Sequence, residues 1–374
     1  MFFNSWIYIM FNKKKNRNVM KRKSNIILST GGSGGHVFPA IAISDEMKKL
    51  KIEHSILTDK RCEKFFSKRN IPYKVIHSSS IQFNPLSFFI SILKISAGLI
   101  QSLIYIQKLK PLLLIGFGGY SSVPTIIAAR ILRISTGLHE QNAVMGKANR
   151  FLSNFTEFDM LSYKKTKFSN VKKSIYTGMP VRNILVNSNI NNNNNNSIKV
   201  LVLGGSQGAR IFSKIIPQII DALDNRFKKK IILVQQSRTE DIKNLKDLYS
   251  KMGIKFKLKS FFNNIFEEML DSKFIISRCG SSTLSEIELV SRFSILFPLP
   301  GSKDNHQYEN AKQFSRNNKC LILDEKKMSN KSIIKSCKNV FLNPNYYTNF
   351  SKLNTNFSPT NKFLRLIKKK LERK

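Results

Sequence analysis

Two glycine-rich turns punctuate the chain, and each closes a short apolar run and opens a helical pattern. Ile26-Ile27-Leu28-Ser29-Thr30 runs into GGSGGH (31–36), and Val200-Leu201-Val202-Leu203 runs into GGSQGAR (204–210). A strand that ends in glycines and starts a helix leaves backbone N–H groups unpaired at a positive dipole end, a ready anion site. Two such units predict two α/β domains facing one another across a cleft. That layout points to an enzyme handling a phosphorylated substrate.

The rest of the chain fits that division. Short apolar strand candidates at 26–30, 54–58, 73–76, 112–116, 136–139 and 174–177 alternate with helical patterns, the mark of a parallel sheet with crossover helices. A polar run, NINNNNNN (189–196), contributes nothing to a core and marks a linker. Alternation resumes at 199–203, 230–234, 255–258, 273–276, 293–297 and 320–323. A chain of 374 residues is long enough for both domains to bury a core. The expected organisation is a basic, disordered extension over 1–24, a first domain over 25–184, a linker over 185–197, a second domain over 198–357 and a basic helix over 358–374. In the extension, MFFNSWIYIMF precedes its lysines, whereas a secretory signal carries positive charge first. Met20 therefore reads as a natural start, or 1–19 as an extension; a short amphipathic anchor is the other reading.

With 63 Lys and Arg against 23 Asp and Glu, the formal net charge is +40. Such a surface attracts some polyanion: nucleic acid, an anionic membrane face or phosphorylated substrates. No aromatic-interleaved basic groove or reading helix supports nucleic acid. Four cysteines without close pairing or metal-type spacing imply a reducing compartment and no disulfide frame. Between Pro85 and Lys110, apolar residues at 86, 89, 90, 93, 97, 100, 103 and 104 make one helical face, while Phe88, Ile92, Ile95, Leu99 and Ile106 load the other. A helix apolar all round is buried or touches lipid. Lys94 interrupts the run, which leaves a buried crossover helix, an interfacial patch beside Lys108 and Lys110, or a span.

Several chemistries fit poorly. GGSGGH has Val37 where a dinucleotide fingerprint needs its third glycine, and no acidic residue convincingly ends the 54–58 strand, although Asp59 is close. No G-x-x-x-x-G-K-[ST] string occurs. GGSQG matches a hydrolase nucleophile elbow, with Ser206, Asp304 and His306 in triad order. Asp304 and His306 stand only two apart, unlike the separate loops of such triads, and the first half of the chain would have no role.

Other polar loops follow strand candidates: GFGGYSSVP (116–124), HEQNAVMGKANR (139–150), TGMPVR (177–182), SRCGSSTLSE (277–286) and PLPGSKDNHQYENA (298–311). In open α/β sheets ligands bind beyond the carboxyl ends of the strands. Together with both glycine turns, in this order and from Asn25 to Phe314, these strings resemble the MurG family of N-acetylglucosaminyltransferases, within glycosyltransferase family 28. The resemblance implies a GT-B fold, an α/β architecture of two Rossmann-like domains with parallel sheets across a cleft. It implies transfer of GlcNAc from UDP-GlcNAc, with inversion, to the muramoyl C4 hydroxyl of lipid I, giving lipid II for peptidoglycan. It implies no cofactor, and no D-x-D metal motif is evident. It places the enzyme at the cytoplasmic face of the inner membrane, peripherally, on an anionic surface and without nucleic acid. A UDP-sugar 2-epimerase or a glycolipid galactosyltransferase shares the fold and remains open.

Inverting transfer needs a base for the acceptor hydroxyl and charge stabilisation for departing UDP. His36 is a base candidate, since an imidazole of ordinary pKa about 6.5 suits proton removal near neutrality. Glu140 is the rival, and His139 beside it shapes the loop. The resemblance assigns Ser33, Gly34, Gly35, Asn142 and Arg182 to the donor. Arg182 could meet diphosphate charge with its planar fork. Ser206, with the amides of Gln207 and Gly208, should cradle the diphosphate. Glu286 suits two ribose hydroxyls, with Ser281, Ser282, Thr283, Leu284 and Ser285 lining the same turn. Phe262 should contact uracil through its backbone, and Gln307 should read GlcNAc hydroxyls, work that Asp304, Asn305 and His306 could share. Ser33 stands for the family's usual threonine, Met145 for a proline or small residue, and Met179 for an asparagine.

Overall fold

The computed structural model describes residues 26–67, 69–80, 84–181, 197–205, 208–262, 264–347 and 358–372. Among them, those up to 181 together with 358–372 form one compact unit, and 197–347 form another. The expectations for the 1–24 extension and the Asn-rich linker lie outside the described residues.

The first unit is built on a seven-stranded sheet: β1 (Ile26–Ser29), β2 (His54–Thr58), β3 (Tyr73–Val75), β4 (Leu113–Gly116), β5 (Ser135–Glu140), β6 (Phe158–Leu161) and β7 (Ser174–Tyr176). Every pairing is parallel, and the strand order is β3-β2-β1-β4-β5-β6-β7. The second unit repeats the plan with β8 (Ile198–Leu203), β9 (Ile231–Gln236), β10 (Lys255–Lys259), β11 (Phe274–Arg278), β12 (Ser294–Phe297) and β13 (Cys320–Ile322), in the order β10-β9-β8-β11-β12-β13. Both are doubly wound, and the order reverses beside β1 and beside β8. At such a switch point the helices depart on opposite sides and a crevice opens past the strand ends.

Central strands such as β1 (IILS) and β4 (LLIG) read as apolar runs because both of their faces are covered, whereas β10 (KFKLK) at a sheet edge exposes alternate lysines. Ile26 and Leu28 of β1 enter one core with Val37 and Ile41, while Ile27 between them enters another with Ile106 and Ile126. In β8, Val200 and Val202 face the core holding Phe212 and Phe274, and Leu201 and Leu203 face that holding Leu284 and Phe266. All four cysteines are free.

The helix Pro85–Leu109 overturns the buried-crossover expectation. Its buried residues are Ser91, Gly98, Ser102 and Ile106, a stripe of mostly small side chains. A Cβ on Gly98 would lie 1.9 Å from the His77 carbonyl oxygen, so only glycine permits this approach. The bulky residues point outward instead: Leu86 is 71% exposed, Phe89 60% and Ile104 65%. By length and composition this helix could cross a membrane. The C-terminal helix Pro359–Glu372 belongs to the first unit, with Phe363, Leu364 and Ile367 buried beside β1 and β4 residues.

Candidate active site

In the first unit the β1 turn delivers His36 to the switch point. Ser33 caps the helix Gly34–Lys49 in extended backbone, and His36 lies in its first turn, half-buried. Ser33 and Gly35 are exposed and Gly34 is half-buried, so the turn is open to a ligand. The imidazole Nδ1 stands 3.0 Å from the Phe117 carbonyl, just past β4, and 2.9 Å from Gln141 Oε1, just past β5. Among the described residues no hydrogen bond reaches its other nitrogen.

Glu140, the rival base, ends β5 and is 1% exposed. Its Oε1 accepts from the Asn142 N–H at 2.8 Å and from Asn142 Nδ2 at 3.2 Å. Its Oε2 accepts from the Gly146 N–H at 3.0 Å and from Asn149 Nδ2 at 2.7 Å. Four donors therefore occupy the carboxylate, which braces the 141–149 loop. Asn142, expected at the donor, is held in this brace and half-buried.

His139 is fully buried, with its ring against both Phe117 and Phe363, which stack on one another. Burial pushes its pKa down to about 3, so the ring is neutral. Its Nδ1 faces Gln141 Nε2 at 3.1 Å, and its Nε2 faces Ser162 Oγ at 3.2 Å and the Gly178 carbonyl at 3.4 Å. Gln141 lay inside the HEQN string without an assigned task. Phe363 gave no sequence signal, because only the returning C-terminal helix brings it to β4 and β5.

In the second unit, Ser206 and Gln207 lie outside the described residues, as does Arg182 of the first. A Cβ on Gly204 would come within 2.3 Å of the Ala209 nitrogen, so the tight turn after β8 requires glycine there. The Gly208 N–H, expected to meet a diphosphate, donates to the Gly205 carbonyl at 3.1 Å. Past β11, the helix Ser281–Val290 begins at Gly280 with no acidic residue in its first turn. Ser282, Thr283, Ser285 and Glu286 are half-buried there, and Ser281 is buried. Ser282 Oγ is buried without a partner among the described residues, an orphan hydroxyl at a helix N-terminus. Leu284 points into the core, and its N–H donates to the Gly280 carbonyl at 3.0 Å. Phe262 is buried in the same core, which leaves only its backbone for recognition. Gln307 Oε1 accepts from the Cys279 and Leu299 N–H groups, both at 3.1 Å, and ties the β11 and β12 ends together. Asp304 and Asn305 adopt left-handed φ values of 50° and 53° just before the helix that carries His306. No cluster of three metal-ligating side chains occurs among the described residues.

Two family models match: the glycosyltransferase family 28 N-terminal domain over residues 26–158 and the C-terminal domain over 199–369. A Wolbachia relative from Drosophila simulans is 34% identical over 309 residues, covering 83% of this chain and 88% of its own. The chain belongs to glycosyltransferase family 28. The Wolbachia family member is named UDP-N-acetylglucosamine--N-acetylmuramyl-(pentapeptide) pyrophosphoryl-undecaprenol N-acetylglucosamine transferase. A Rickettsia bellii family 28 protein of the same name is 33% identical over 341 residues, covering 87% of this chain and 93% of its own. Among solved structures, Acinetobacter baumannii MurG matches with a TM-score of 0.73 at 23% identity, covering 92% of this chain and 99% of that one. A UDP-GlcNAc 2-epimerase from Neisseria meningitidis matches with a TM-score of 0.63 at 12% identity, covering 94% and 100%, and shares the fold.

Proposed function

We infer that this family 28 enzyme moves GlcNAc from UDP-GlcNAc to the muramoyl C4 hydroxyl of lipid I, forming lipid II. The carrying observation is the identity of 33–34% along most of the chain to transferases of that name. The 2-epimerase shares the architecture at 12% identity, which speaks for fold alone.

His36 takes the proton from the acceptor hydroxyl, whose oxygen bonds the anomeric carbon of GlcNAc. The bond from that carbon to the UDP oxygen breaks, with inversion. Glu140 acts as a brace for the loop, because its oxygens are already engaged. In the second unit the Ser281–Val290 helix end, with the Ser282 hydroxyl, meets donor oxygens, and Glu286 accepts from the ribose. Ser206, Gln207 and Arg182 are assigned to the diphosphate by the family pattern. One helix end contributes about 0.3–2 kcal/mol, so several donors act together.

Lipid I is reached from a membrane surface. The exposed face of Pro85–Leu109 enters the lipid boundary, and Lys94, Lys108 and Lys110 lie close to anionic headgroups of the cytoplasmic leaflet. Each such cation adds roughly 1 kcal/mol at most. Two measurements test these readings. Hydrogen exchange with added UDP-GlcNAc should slow in 281–286; unchanged exchange there refutes the donor site. Flotation with anionic vesicles should retain the protein at low salt, and Leu86→Ser with Phe89→Ser should release it without lowering thermal stability. Equal binding by the double variant removes this helix from membrane attachment.

A further inference from the structure

We propose that Gln141 is a positioning residue that fixes the tautomer of His36, leaving Nε2 as the nitrogen that receives the acceptor proton. The inference rests on the transferase reading, but its first test does not depend on activity.

Gln141 Nε2 lies 2.7 Å from the Phe117 carbonyl oxygen and 3.0 Å from the His139 carbonyl oxygen. A flipped amide would set its own oxygen against both, oxygen on oxygen, so the backbone decides the orientation. Oε1 must then be the atom 2.9 Å from His36 Nδ1. Nδ1 also faces the Phe117 carbonyl at 3.0 Å. Both neighbours accept and neither donates. Only an N–H at Nδ1 satisfies them, and the neutral ring then carries its lone pair on Nε2.

His139 locks the amide from behind. Its Nδ1 faces the Gln141 NH2 at 3.1 Å and so accepts. Its proton therefore sits on Nε2, donating to Ser162 Oγ at 3.2 Å or the Gly178 carbonyl at 3.4 Å. A second proton on this ring would set N–H against N–H. Contact with the Phe117 and Phe363 rings and complete burial keep the ring neutral. The relay thus has one polarity from Ser162 to His36. It turns a free imidazole, which favours a proton on Nε2, into one with that nitrogen bare.

The chain has five histidines, so ring nitrogen signals in a labelled protein are few enough to assign with single-histidine variants. In the wild type at a pH where the ring is neutral, 15N correlation spectra should show His36 protonated at Nδ1. In Gln141→Met the ring should shift toward Nε2–H. Turnover should fall about 100-fold or more, with KM for UDP-GlcNAc within about twofold, because binding geometry survives while the base presents the wrong nitrogen. A wild-type His36 protonated at Nε2 overturns the proposal, whether or not the variant folds. An unchanged tautomer in Gln141→Met, or kcat and KM moving together, overturns it as well. Loss of transfer by the wild type would instead strike the transferase reading, and the tautomer would still be read.

Discussion

His36 and Glu140 are rival candidates for the base, and their surroundings differ sharply. Four N–H donors close on the Glu140 carboxylate, while one nitrogen of His36 meets no described partner. Removing the brace strands the buried Asn149 amide and frees the Asn142 and Gly146 N–H groups, and a stranded buried donor costs about 1–3 kcal/mol. Glu140→Ala should therefore lower unfolding free energy by about 2 kcal/mol or more, measured by urea titration. His36→Ala should leave stability nearly intact and cut single-turnover rate about 10²–10⁴-fold, with UDP-GlcNAc affinity kept. The reverse pattern would make Glu140 the base. His139 adds a pH signature. Its pKa falls from 6.5 to about 3 on folding, so the unfolded chain holds the extra proton between those values. Its contribution to stability is complete above 6.5 and fades as pH drops toward 3, by up to about 1.4 kcal/mol per pH unit. His139→Asn should flatten that part of the stability profile relative to the wild type. The sequence exposed these residues as a polar string, HEQN. It did not separate their roles, because roles depend on which backbone carbonyls and amides converge from β4, β5 and the C-terminal helix.

The elements show where pattern reading holds and where it stops. Strands buried on both faces announce themselves as apolar runs, and β1, β2, β4 and β8 follow candidates closely. β6 (Phe158–Leu161) was not among them. Its segment carries Asp159, which breaks the run, yet that carboxylate is fully buried because Ser153, Thr156 and Lys173 contact it. The partners come from outside the strand, so the local pattern could not reveal them. The helix Pro85–Leu109 taught a related lesson: its apolar face was legible, but small residues won the packing surface and left the large ones outside. The C-terminal helix ties chain end to active loop. Phe363 stacks on Phe117 at 5.6 Å between centroids and meets His139 edge-on at 5.5 Å. Phe363→Ala should cost about 3–5 kcal/mol in chemical denaturation and lower turnover too, since the His139–Gln141 relay loses one wall. Stability loss with unchanged turnover would show that the helix only closes the core.

At the scale of the whole molecule, two sheets with matching strand order each place a glycine turn at a switch point. A net charge of +40 adds long-range attraction toward anionic groups, an attraction that salt weakens. Fold alone suits epimerases as well as transferases, so the decisive property is what happens to the sugar. The most direct measurement supplies labelled UDP-GlcNAc to the purified chain with and without lipid I in anionic vesicles, and follows the label. Transfer to lipid I predicts label in lipid II, joined with inverted anomeric configuration, and negligible UDP release when lipid I is omitted. Free ManNAc and UDP formed without lipid acceptor would contradict it.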